Sequence, residues 1–284
     1  MMDDKQEHII QRYRYGLLFY IFAAVIPWGF WFVAGYVSHQ NGGNEFLASM
    51  LGLIGLCFPM LLSVAFVCRD SALRKDTFSR FFNFKVRYVG YYMGACTILP
   101  ISILAAMAIS LLFGYSASQF CITGHYTFTS GVFPVWFMLI MAPVLEELAW
   151  HSYGTDCLRS RMNLLYTSLV FAIYWALWHF PLAGIKGYYH ANVVHEGVLY
   201  SINFIVSIIP FVFLMNWLYY KTGRNILVAI VFHITAGYFN EIFATHPDSK
   251  CIQTVLLLIF ASIVVARNRS FFFDKTLHVE PSKY

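Results

Sequence analysis

Charge is what this sequence most lacks. Only 12% of its 284 residues are Asp, Glu, Lys or Arg, whereas a soluble domain carries about a quarter. That scarcity excludes a soluble enzyme held by one anchor, and no polar insertion is long enough for a separate soluble domain. Paired cysteines are missing too. Cys57, Cys68, Cys96, Cys121, Cys157 and Cys251 form no CxxC pair, so they read as apolar thiols in or beside hydrophobic runs. There is no HExxH zinc motif: His195-Glu196 is followed by Gly197, Val198 and Leu199 with no second histidine. There is no GxSG serine motif and no aspartate in the interior of an apolar run, which removes a serine elbow and an aspartyl dyad. No internal repeat or low-complexity tract stands out.

What is present is apolar length. The chain is 59% hydrophobic and 19% aromatic, and windows of about 20 residues give eight candidate spans. They cover 15–37, 46–68, 88–113, 132–158, 163–182, 197–220, 225–243 and 251–266. The expected fold is all-α, a polytopic integral membrane protein forming a single membrane domain over 1–284. The first run follows Asp3, Asp4, Lys5, Glu7, Arg12 and Arg14 without a small-residue cleavage site, so it reads as a helix and not a signal peptide. With the N-terminus inside, all 19 Lys and Arg except Lys186 and Lys250 fall on one side. This bias predicts an N-in, C-in topology and assigns the net charge of +5 to anionic lipid, not nucleic acid. In the basic stretch 69–87, Phe78, Phe81 and Phe82 sit at helical spacing, which predicts an amphipathic helix anchored at the membrane surface.

Three of the later spans carry ionisable groups, which are costly at membrane depth unless paired or functional. Glu146 and Glu147 are adjacent, so on a helix they point about 100° apart and cannot share a role. Glu147 faces the same side as His151, four residues on, and can hydrogen-bond to it. Trp175 and His179 share a face of the next span, and His233, Gly237 and Asn240 form a stripe on the seventh. A lone intramembrane histidine usually bonds one helix to another. Two carboxylates with histidines on two further spans instead supply the parts of a hydrolytic site: a glutamate that takes a proton from water, an imidazole that helps hold that water, and a second that stabilises an oxyanion. Read as straight helices, Glu146, His179 and His233 stand roughly 20, 27 and 14 Å from the arginines at 159, 161 and 224. They meet only if the helices tilt or are staggered.

Glu146-Glu147-Leu148-Ala149-Trp150-His151 resembles the EExxxR motif of the CAAX protease and bacteriocin-processing (CPBP, Abi) family of intramembrane endopeptidases. Trp175-Ala176-Leu177-Trp178-His179 before Pro181 resembles its FxxxH motif, and His233-Ile234-Thr235-Ala236-Gly237 its HxxxN motif. The resemblance covers about 132–240. It implies that Glu146 and His179 activate the attacking water, that His233 serves the oxyanion, and that Glu147 braces the fold through position 151. It implies a membrane-associated peptide or protein as substrate. The family is often classed as metalloproteases, and Glu146, His179 and His233 make a candidate zinc set; a metal-free glutamate mechanism is the alternative.

The chain departs from the family at three places. His151 stands for Arg, Trp175 for Phe, with an effect expected on packing only, and Gly237 for Asn, which removes an amide from the expected oxyanion site. The site is expected to open to the cytoplasmic side. The compact build suggests a bacterial cytoplasmic membrane, where prenylated substrates are not expected and peptide or bacteriocin maturation, self-immunity or membrane-protein regulation would be the setting. Two other readings stay open: a catalytically inactive binding or immunity protein on the same scaffold, and a proton-coupled carrier using Glu146 and the histidines as a relay.

Overall fold

The computed structural model of the protein describes residues 8–81 and 83–275. The readings above that fall on Asp3, Asp4, Lys5, Glu7, Phe82 and Lys283 lie outside these residues. The elements are α1 (Gly16–Ser38), α2 (Glu45–Cys68), α3 (Ser71–Phe81), α4 (Val89–Ser110), α5 (Val135–Ala149), a π-helical turn (Trp150–Gly154) and α6 (Thr155–Arg159). They continue with α7 (Leu164–Trp178), α8 (Tyr189–Glu196), α9 (Val198–Lys221), α10 (Ile226–Ile242), α11 (Pro247–Arg267) and α12 (Arg269–Phe273). The described residues contain no strand, only one isolated bridge between Ile122 and Phe243. All-α is therefore the observed class.

All eight expected spans are helical, but six helices among the described residues are both long and apolar enough to cross a membrane. The two that fall short, α5 and α10, carry Glu146, Glu147 and His233. Helix α10 has only 17 residues, and α5 runs into the π-helical turn and α6, where His151, Asp156 and Arg159 are buried. The last span is longer than expected, because Pro247 begins α11 and His246 caps it.

The long helices pack in the order α1, α2, α5, α10, α4, α11, α9, α7, and the turn after α7 closes the ring against α1. Prolines inside these helices are tolerated where a neighbour satisfies the carbonyl they free. Pro27 cannot bond the carbonyl of Ala23, and the Trp178 indole N–H donates to it instead, at 2.7 Å.

Antiparallel register explains how groups at unequal expected heights come together. Glu147 Oε1 meets His233 Nδ1 at 2.8 Å, and Asp156 Oδ2 meets Arg224 Nη2 at 2.5 Å. Nine positions separate these contacts along each partner, so the two pairs are rungs of one ladder. Arg224 and Arg159 are therefore wrong depth markers, since both are buried inside the protein. Arg224 turns inward from a left-handed backbone position (φ 64°) that follows Gly223 (φ 68°), a conformation that non-glycine residues seldom adopt.

Helix α3 does more than lie on a membrane surface. Phe78 is exposed, but the opposite face carries Asp76 and Arg80 into the bundle. Arg80 bonds Asp156 Oδ2, Tyr13 Oη and Tyr219 Oη, while Arg224 bonds Asp76 and Asp156. Two guanidinium groups thus alternate with two carboxylates, and such buried sets are stable only when all members remain paired.

Two outcomes follow. Cys68 and Cys121 are exposed at opposite ends of the bundle, whereas Cys157 is buried and would escape labelling on either side. In single-cysteine variants, a membrane-impermeant maleimide applied to intact cells should modify Cys121 and spare Cys68; the reverse would invert the topology. Burial pushes the Asp76 carboxyl up, but Arg224 and Arg80 outweigh it and hold it below its ordinary range. A depressed folded-state value contributes stability above the unfolded pKa, about 3.9, and loses it as pH falls through the folded value. Thermal stability in detergent should therefore fall on acidification below that range, and less steeply in Asp76→Asn.

Candidate active site

Glu147 is the buried centre of the site. It is 0% exposed, whereas Glu146 and His179 keep 8% and 9%, the difference between a sealed side chain and two that reach a cavity. One Glu147 oxygen bonds His151 Nδ1 and the other His233 Nδ1. The expected pairing with position 151 is present, and the carboxylate also grips the histidine of α10. His151 Nε2 contacts Asn216 Oδ1 at 2.9 Å, and Asn216 Nδ2 donates to Ser168 at 3.0 Å. One polar chain thus joins α10, α5, the π-helical turn, α9 and α7.

The π-helical turn sets where His151 sits. Such turns hold one residue too many for the α-helical ladder and occur often at functional sites. The displaced carbonyls need donors, and α3 and α9 supply them. Arg80 donates to the carbonyls of His151 (3.0 Å) and Ser152 (2.8 Å), and Tyr219 Oη donates to that of His151 (2.7 Å). Gly154 ends the turn where only glycine fits, because a Cβ would stand 2.8 Å from Phe19. Trp150 is fully buried against Phe19, Phe171 and Trp178, so it packs the turn and does not face the cavity.

His179 caps α7 and stands opposite Glu146. Its Nδ1 lies 2.7 Å from the Trp175 carbonyl; a carbonyl can only accept, so this nitrogen carries the proton. In the neutral ring, Nε2 then presents its lone pair, 4.0 Å from Glu146 Oε2. Trp175 was expected to alter packing only. Its indole N–H instead donates to Glu146 Oε2 at 3.0 Å. The structure thus overturns that expectation, because a phenyl ring at this place has no donor.

Both histidines and Glu146 line one cavity of about 410 Å³, together with Gly237, Asn203, Asn240 and many apolar side chains. Thr127, Ser130, Tyr189, Asn192 and Lys250 line it towards the end of the bundle that is poor in basic residues. The cavity is thus lined at the end opposite the arginine-rich one, whereas the expected opening was to the cytoplasmic side. His190 also lines the cavity and stacks on His179, ring centroids 5.0 Å apart. The sequence reading missed it because it lies between spans. Asp156 was passed over because it stands two residues from the end of its expected span, and Arg80 and Arg224 because loop arginines read as solvated. Asn216 had a usable signal, an amide within an apolar run.

The proposed zinc set does not fit. Among the described residues, no three His, Cys, Asp or Glu side chains are placed to hold a metal ion. The Trp175 indole lies against both imidazoles, with centroids 5.1 Å from His179 and 5.2 Å from His233.

A helical membrane protein that holds a carboxylate and imidazoles on a buried cavity has the build of an intramembrane hydrolase. The profile of type II CAAX prenyl endopeptidases, Rce1-like, matches residues 127–239. A protein of Methanococcus maripaludis named CAAX prenyl protease 2 is 31% identical over 270 residues, covering 94% of this chain and 99% of its own length. The chain belongs to this Rce1-like CAAX prenyl endopeptidase family and is an integral membrane protease of the CAAX type.

Gly237 lies one turn beyond His233 on the cavity wall, and a Cβ there would meet only Leu139, at 3.6 Å. Asn240 is engaged elsewhere, donating to Tyr189 Oη at 3.0 Å. Gly237→Asn should therefore fold normally and raise turnover, while Asn240→Ala changes it little. A large loss in Asn240→Ala at unchanged protein level would place the amide donor at 240 instead.

Proposed function

We propose that the chain is an endopeptidase in which Glu146 and His179 activate a water without a metal. The observation that carries this reading is the 4.0 Å gap between His179 Nε2 and Glu146 Oε2. A water about 2.8 Å from both acceptors would subtend an angle of about 90°, close to its own bond angle. Both hydrogens are then engaged, and the oxygen lone pairs point away from the acceptors, towards the cavity. As that oxygen attacks a peptide carbonyl, Glu146 takes the proton. The tetrahedral intermediate then collapses, the C–N bond breaks, and Glu146 returns the proton to the leaving amine.

His233 serves the oxyanion. With Nδ1–H held by Glu147, its imidazolium form directs Nε2–H into the cavity, where a donor stabilises the developing charge. His151 and Glu147 brace that ring and do not touch substrate.

The substrate is a membrane-associated peptide or protein. The family and the archaeal relative carry CAAX prenyl protease in their names, and the largely apolar cavity suits a lipidated peptide. This reading departs from the expectation that prenylated substrates are absent from a bacterial setting.

The test is cleavage of prenylated and unprenylated membrane peptides by purified protein. Glu146→Gln keeps the shape but not the base and should lose about 10²–10⁴-fold in turnover; near-normal turnover would remove the water-activation role. Prolonged chelation should leave the wild type unchanged, and loss restored by zinc would overturn the metal-free mechanism.

A further inference from the structure

The Trp175 indole borders the cavity and is otherwise packed among aromatic rings. It stacks on Phe171 (5.7 Å) and Phe211 (5.5 Å), and it touches the rings of His179 and His233. It is 3% exposed, and its only polar atom, Nε1, donates to Glu146 Oε2. That oxygen is also the one that stands opposite His179 Nε2. The aromatic contacts therefore hold the donor still, and the donor determines which direction around Oε2 remains for a water.

We infer that Trp175 is a positioning residue for hydrolysis, whose indole N–H holds the Glu146 carboxylate in register with His179. The inference rests on the water-activation reading above. It assigns a catalytic consequence to a departure from the family motif that a phenyl ring could not reproduce. A glutamate has three side-chain torsions, and a buried oxygen left without its donor loses a charge-assisted hydrogen bond. Without the indole N–H, Glu146 would populate rotamers that no longer face His179. Substrate binding, which uses the wider cavity, would be little affected. The expected signature is a loss in kcat at nearly constant KM, the pattern of an interaction that matters only in the transition state.

Two substitutions separate the hydrogen bond from packing. Trp175→Phe keeps an aromatic ring, and 3-benzothienylalanine at 175 keeps the bicyclic shape with sulfur in place of N–H. Both should reduce kcat by roughly tenfold or more, the rate equivalent of a hydrogen bond to a charged group, with KM and thermal midpoint near wild type. Unchanged kcat with benzothienylalanine would overturn the inference even if Trp175→Phe proved unstable. A double-mutant cycle supplies the second measurement. Glu146→Asp withdraws the carboxylate from the indole, so removing N–H in that background should cost little more. Losses that add in full would show that Trp175 acts through packing and would overturn its positioning role. Wild-type turnover in Glu146→Asp would instead overturn the water-activation reading, and the role of Trp175 with it.

Discussion

The buried carboxylate of Glu147 is the constraint on which the arrangement depends. An unpaired charge in a protein interior within a bilayer is costly enough that its partners must be supplied wherever it sits. Here both oxygens are engaged by imidazoles, one from the π-helical turn and one from α10. This single group therefore constrains the rotation of α10 relative to α5 and the direction of the His233 ring. Asn216 completes the polar chain at the far nitrogen of His151, so the rotation of α9 is constrained as well.

The second anchor lies nine positions away along the same pair of segments. Asp156 and Arg224 form the lower rung of the ladder whose upper rung is Glu147 and His233. Two polar contacts at matched spacing prevent antiparallel helices from sliding or rolling, which a purely apolar interface in lipid would resist only by shape. Arg80 extends the control to a helix outside the spans. Its guanidinium reaches Asp156 and the carbonyls of the π-helical turn together, so the basic end of the bundle and the floor of the site are mechanically joined. The family motif places an arginine at position 151. In this chain a histidine stands there, and an arginine from α3 bonds the backbone of that same residue.

Glu146 has a different environment because it points elsewhere. It reaches the cavity that Glu147 is sealed from, facing His179 across a gap of 4.0 Å and receiving the Trp175 indole. Adjacent residues on one helix thus meet different surroundings, one sealed between imidazoles and one facing the cavity, through the roughly 100° between them. The cavity is lined in part by residues at the end of the bundle with few basic residues. Orientation in the membrane and access of substrate are therefore one question.

Much of this was legible in the residues. The scarcity of charge and the length of the apolar runs place the chain in a membrane, because unpaired backbone can cross lipid only as helix or closed barrel. Helical periodicity was enough to pair Glu147 with His151 and to separate Glu146 from both. The ionisable residues on three spans pointed to groups that the fold brings together, because such residues persist at that depth only for a reason. What periodicity cannot provide is the rotation and height of one helix against another. The register of α5 with α10, the inward turn of Arg224, the burial of Asp156 and the approach of His190 to His179 depend on that packing. So does the donation from Trp175 to Glu146, since a tryptophan in an apolar run reads as packing until its N–H has a partner. Only the tertiary structure decided these, because a hydrogen bond between helices is a property of two surfaces, and the sequence of one segment describes one surface alone.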